Sequence, residues 1–135
     1  MSTPQRQPIP PSRNAEMIAK WRAEPSERLL LITTTGRKSG NKHTVPLVFM
    51  RDGDTPVIAG SAAGAPKHPD WYLNLAANSN VTVEMKEGTF EARAVTAEGA
   101  ERERLLEMAK EKMGILMEHQ AKTTRVIPLV SLVKK

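Results

Sequence analysis

There is no cysteine in the 135 residues, which removes disulfides, thiolate nucleophiles and cysteine-ligated zinc or iron–sulfur sites in one step. Aromatic residues make up only 4% of the chain, too few to interleave with the basic residues as a stacking surface for single-stranded nucleic acid. No apolar run approaches the roughly 18–20 residues of a membrane span. The first twelve residues, MSTPQRQPIPPS, lack the apolar core of a secretory signal. A cytoplasmic protein is therefore expected, with peripheral contact at a membrane left open. His43, His68 and His119 are scattered, with no HxH or HxxxH pair, so no metal site is expected. The Walker A spacing and the Rossmann glycine fingerprint are missing too.

What is present describes one soluble domain. Hydrophobic residues at 39% and charged residues at 26% suit a globular chain long enough to bury its own core. Twenty Lys and Arg against 15 Asp and Glu give a net charge of +5, which attracts anions without naming one. Nucleic acid, acidic lipid and a phosphorylated cofactor all fit that charge. Five of the ten prolines lie in the first 25 residues, so residues 1–12 read as a flexible arm and 13–135 as the single domain.

A short helix is expected over Arg13–Ala23, with Ser12 as N-cap, Pro25 ending it, and Met17, Ile18 and Trp21 on one face. Strands follow at Leu29–Thr35, Thr44–Arg51 and Pro56–Gly60, read as an antiparallel meander whose second turn is Asp52-Gly53-Asp54. A capped helix is expected within Pro69–Asn78. Val81–Lys86 and Thr89–Thr96 alternate as strands, and Glu98–Lys112 forms a charged amphipathic helix. Gly114–Lys122 fits either helix or loop. Arg125–Val133 reads as a last strand at an edge or bulge, because Pro128 cannot donate to a ladder. The sum is mainly β with peripheral helices: a six-stranded, mostly antiparallel barrel.

The stretch with most chemical content is Thr33–Pro46, TTTGRKSGNKHTVP. It sets Arg37, Lys38 and Lys42 in a turn framed by Gly36 and Gly40. Glycines there permit positive φ, letting successive amides converge on an anion, while Ser39 adds a hydroxyl. A solvated hairpin loop with lysines placed for solubility fits the same residues.

GRKSG…TVPL, then VIAGSAAGAPKHPDWYLNLAAN, V-x-V and finally T-x-R-x-I-P resemble, in this order, the deazaflavin (coenzyme F420)-dependent nitroreductase family, over roughly Leu29–Val133. The resemblance implies a split β-barrel of the FMN-binding kind that binds coenzyme F420. It also implies an oxidoreductase that passes a hydride from the reduced cofactor to an electron-poor small molecule such as a quinone, an enone or a nitro compound. By the same resemblance Arg37, Lys38, Ser39, Gly40, Lys42 and Thr44 contact the cofactor's phosphate and polyglutamate arm, with Val45 and Pro46 near the ring. Ala62, Ala63, Gly64, Lys67, Trp71 and Tyr72 complete the cleft, with Trp71 nearer the core. Ser61 is the residue expected to polarise a substrate oxygen. Family members that reduce nitroimidazoles carry tyrosines just before T-x-R-x-I-P. Here Lys112–Lys122 has none, so Met113 and Leu116, with Val48, are expected to line a more apolar pocket, and His119 is a candidate proton donor. An FMN- or haem-binding barrel is the alternative within the fold, and a basic nucleic-acid module the alternative outside it. Either a monomer or a homodimer is expected.

Overall fold

A computed structural model describes residues 11–61 and 64–135. The elements run α1 (Pro11–Ala23), β1 (Leu29–Thr35), β2 (Lys42–Val48), β3 (Met50–Asp52), β4 (Thr55–Ala59), α2 (Asp70–Ala77), β5 (Asn80–Met85), β6 (Gly88–Thr96), α3 (Gly99–Lys112), α4 (Ile115–Ala121) and β7 (Leu129–Lys134). The expected arm at residues 1–10 lies outside the described residues, and the helix begins at Pro11 rather than Arg13. Proline suits a first helical turn, where its missing N–H costs nothing, so Ser12 lies inside the helix rather than capping it.

Among the described residues seven strands form one sheet in the order β2-β1-β5-β6-β7-β4-β3, with every pairing antiparallel. The count is seven rather than six because the expected strand Thr44–Arg51 breaks at Phe49. On one side of the break β2 pairs with β1; on the other β3 pairs with β4. Both pairings of the expected meander form, but through a broken middle strand: β2 and β3 are the two edges of the sheet, one residue apart in the chain. Joining both edges through Phe49 forces the sheet to curl upon itself. Pro46 sits within β2, where an edge strand tolerates a residue with no N–H.

Alternation along the strands fills two cores. Ile58 and Val130 face a cluster inside the curl with Leu30, Ile32, Val83 and Leu132, whereas their neighbours Val57 and Leu129 face a second cluster with Leu105, Ala109, Met113 and Ile127. Both faces are therefore covered over Pro56–Ile58 of β4 and Leu129–Val130 of β7, which is why these segments show no polar alternation. The final strand starts at Leu129, later than the expected Arg125, because Arg125–Pro128 forms a separate approach to it. Gly114–Lys122 resolves as the short helix α4.

Helix α1 covers the β1–β2 side. The Trp21 indole donates to the Leu29 carbonyl at 3.1 Å, and Arg22 holds Glu84 with two hydrogen bonds of 3.0 and 2.7 Å. Trp21 is buried and Arg22 is exposed, so the two anchors differ in weight. Trp21→Phe should lower the unfolding free energy in urea by about 1–2 kcal/mol through the lost bond. Arg22→Ala should cost less than about 1 kcal/mol; equal losses would refute this ordering. No helix among the described residues is long and apolar enough to cross a membrane.

Candidate cofactor and substrate site

Strand register brings the chemical motifs to one end of the sheet. β1 runs toward the basic turn after Thr35, and its pairing Leu31↔Glu84 and Thr33↔Thr82 sends β5 the other way. The β5–β6 hairpin is therefore at the far end, while Thr96 at the close of β6 returns to the basic-turn end. There Thr96↔Val130 and Ala59↔Leu129 bring the exit of β4, and hence Ser61, alongside.

The basic turn is shaped internally. Gly36 N–H donates to the Asn41 carbonyl at 2.7 Å, Gly40 N–H to the Gly36 carbonyl at 2.9 Å and Asn41 N–H to Ser39 Oγ at 3.1 Å. Gly40 makes the reversal at φ 76°, a conformation that side chains disfavour. The expectation of amides converging on an anion is thus corrected at these positions: the Gly36, Arg37, Gly40 and Asn41 amides are all spent within the protein. The turn instead offers side chains. Lys38 and Lys42 form no ion pair among the described residues, although Lys42 Nζ donates to Thr35 Oγ1 at 2.9 Å. The Thr44 hydroxyl is shared with Thr33 at 2.7 Å.

Arg37 is turned inward, onto helix α2. Its amide and Nη1 donate to Asn74 Oδ1 at 3.2 and 2.8 Å, and Nη2 approaches Asp70 at 3.4 Å. Asn74 is only 5% exposed and reaches Thr34 Oγ1 at 3.5 Å. The two sequence motifs are therefore one structural unit. α2 begins after Pro69 and ends at Asn78, as its termini predict, and carries Trp71 and Tyr72 partly against the inner core. The Tyr72 hydroxyl meets Thr96 Oγ1 at 3.2 Å.

The loop from Gly60 to Pro69 is held from the opposite side by Arg125. Its guanidinium donates to the carbonyls of Ala65 (2.8 Å), Gly60 (3.0 Å) and Ser61 (2.8 Å), and Nη1 lies 3.0 Å from His68 Nδ1. Burial, and after it the Arg125 charge, lowers the His68 pKa below that of ordinary histidine. Gly64 has φ +84°, and a Cβ there would stand 2.8 Å from the His119 carbonyl oxygen. Its bare Cα thus lets α4 close against the loop. Ala62 and Ala63 lie outside the described residues.

The pocket expectations fare unevenly. Met113 and Leu116 are buried in the core beneath α3 and α4, so they stand behind a site rather than on its wall. Val48, 56% exposed, ends β2 at the other end from the turn, about 20 Å along the strand at ~3.3 Å per residue. His119 is brought beside Gly64, and its Nδ1 is buried without a hydrogen-bond partner among the described residues. A cavity of about 500 Å³ lined by Arg51, Met85, Phe90 and Lys134 opens at the β5–β6 end, away from these motifs. Sequence reasoning missed Asn74, Asp70, His68 and Arg125 as organisers. All four stood inside the quoted motifs, but only their pairings reveal the work they do.

A model of the F420H(2)-dependent quinone reductase family matches residues 11–134. The chain belongs to this family. An F420H(2)-dependent quinone reductase of Mycobacterium tuberculosis is 34% identical over 109 residues, covering 78% of this chain and 73% of that protein. Among solved structures, an F420-H2 dependent reductase (FDR-A) is 38% identical with a TM-score of 0.71, covering 78% of this chain and 93% of that one. A domain-swapped dimer is 32% identical with a TM-score of 0.73, over 87% of this chain and 95% of that one. A heme storage protein from Vibrio cholerae shares the fold alone, at 15% identity and a TM-score of 0.58. The motifs that resembled deazaflavin-dependent enzymes thus belong to a quinone reductase family. Its cofactor carries a long anionic arm, and the donor set here suits that arm: two lysines with no carboxylate partner among the described residues and a serine hydroxyl on one exposed turn.

Proposed function

We propose that this protein reduces quinones and related electron-poor compounds with reduced coenzyme F420. The match to the quinone reductase family across residues 11–134 carries this reading. When bound, reduced F420 supplies a hydride from C5, and with one further proton a quinone becomes a hydroquinone. In this reading Lys38, Lys42 and Lys67 hold the anionic arm as point charges, with Ser39 as a hydroxyl donor. Arg37 acts with them by docking the turn on α2. Thr44 joins them at the phosphate and tail. Val45 and Pro46 on β2, with Trp71 and Tyr72 on α2, flank the ring, and Ala62, Ala63 and Gly64 complete the cleft. Ser61, at the exit of β4, hydrogen-bonds the substrate oxygen where negative charge grows. His119 returns a proton, a role supported by its unpartnered Nδ1 and by the approach of its main chain to Gly64. Met113 and Leu116 back the substrate side with adaptable apolar side chains, while Val48, at the far end of β2, stands outside it. The split-barrel description suits a sheet whose edges meet at Phe49. A homodimer is supported by the domain-swapped relative and is read by light scattering at working concentration.

Purified protein should quench or shift F420 fluorescence with micromolar affinity. It should oxidise the reduced cofactor fastest with menadione, more slowly with cyclohexenone and least with a nitroimidazole, which has no tyrosine pocket to receive it. Absence of micromolar binding sinks the proposal. Binding with nitroimidazole as the best acceptor would sink its substrate half.

A further inference from the structure

Arg125 is the side chain that ties most of the site loop together, yet it belongs to none of the groups assigned to cofactor or substrate above. It precedes β7 by four positions, in a stretch pinned by Ile127 N–H to Gln120 Oε1 at 3.0 Å and by Gln120 Nε2 to the Arg125 carbonyl at 2.8 Å. The backbone from which it reaches is thus anchored to α4. From there one planar guanidinium serves three carbonyls, of Gly60, Ser61 and Ala65, and a fourth acceptor on His68. Gly60 N–H also donates to the Pro128 carbonyl at 2.9 Å, so the exit of β4 is fixed by backbone and side chain together. An ammonium has three donors on one point and could not span this set.

The contact with His68 has a chemical consequence. Arginine only donates, so His68 Nδ1 must accept, and the neutral ring then carries its proton on Nε2. The ring also lies 4.9 Å from the Tyr72 ring, centroid to centroid. Among the described residues the groups facing His68 are Arg125 and the Tyr72 phenol ring, and no carboxylate stands within ion-pair distance of it.

We propose that Arg125 is a positioning residue of the reductase site, holding the Ser61 loop in its working shape through a lock that closes only on neutral, Nε2-protonated His68. Protonating His68 places a second N–H against the guanidinium, and the lock must open. The proposal rests on the reading of Ser61 as a substrate contact. The direction of titration follows from the lowered His68 pKa: the folded state binds this proton less readily than the unfolded chain. The lock therefore stays closed through the ordinary histidine range and opens only as pH falls below it.

Three measurements on the full chain test this. Imidazole ¹⁵N shifts in the cofactor-free protein should show His68 protonated at Nε2 and bare at Nδ1, with that preference relaxed in Arg125→Met; protonation at Nδ1 in the wild type would overturn the proposal. Arg125→Lys should lower kcat at least tenfold, with a smaller loss of F420 affinity, because Asn74 and not Arg125 holds the basic turn, while Lys67 alone of the charged cofactor groups lies on the loop that Arg125 fixes; an unchanged kcat would overturn it. His68→Asn places an amide oxygen where Nδ1 accepts and cannot titrate. It should keep activity within threefold and lose the acid-side fall of kcat, whereas an acid limb identical to wild type would overturn the lock. If wild type fails to bind F420, the functional reading fails, and the tautomer measurement still decides the Arg125–His68 lock.

Discussion

A Lys38→Glu/Lys42→Glu variant should bind coenzyme F420 at least about 100-fold more weakly than wild type, close to 3 kcal/mol. Reversing two charges replaces two attractions to the phosphate and glutamate arm by two repulsions, each worth about 1 kcal/mol in a solvated setting. The effect on folding should be small, because both side chains are exposed and neither is ion-paired among the described residues. The urea midpoint should move little, with only the Lys42 to Thr35 hydroxyl bond given up. Salt supplies the control. Wild-type affinity should fall as ionic strength rises, and that dependence should flatten or reverse in the variant as charges are screened. Affinity within threefold of wild type at low salt would remove the basic turn from the cofactor site.

The same turn shows how far a sequence can be read. Its charge, its glycines and its flanking strands were legible, because β-branched runs and positive-φ positions are local signals. Its internal economy was not. The amides that looked free for an anion are consumed by Asn41, Ser39, Gly36 and Asn74, and Arg37 points at α2. Gly36, Ser39 and Asn41 close the turn on itself, whereas Asn74 is brought by tertiary packing, and no reading of residues 33–46 alone could find it. Strand placement failed for a related reason. Thr44–Arg51 has uniform strand composition, and only the pairing of β2 with β1 and β3 with β4 shows that Phe49 is where the chain passes between sheet edges. Periodicity did find Met113 and Leu116 but could not separate a pocket wall from a core layer, since both demand apolar side chains. His68 and Arg125 were visible as letters of two motifs about 57 residues apart. Their meeting is a fact of the fold.

Removing the Asn74 side chain should damage stability and cofactor binding together, although Asn74 is not a proposed cofactor contact. The amide oxygen accepts both the main-chain and guanidinium N–H of Arg37, and Nδ2 faces Thr34. Asn74→Ala leaves these groups without partners in a nearly closed site, at a cost of about 3 kcal/mol when a hydrogen bond to a charged group is lost with it. For a domain of this size that corresponds to a fall of roughly 10 °C in Tm. The basic turn, no longer fastened to α2, should then bind F420 about tenfold more weakly, since part of the binding energy must re-order it. Asn74→Asp keeps an acceptor for Arg37 and should recover most of the affinity, while losing the donor to Thr34. If Asn74→Ala unfolds at lower denaturant but binds F420 as wild type does below its transition, docking of the turn is structural only. If affinity falls in Ala and returns in Asp, the Arg37–Asn74 link is what presents the lysines to the cofactor, and the two motifs are joined for that purpose.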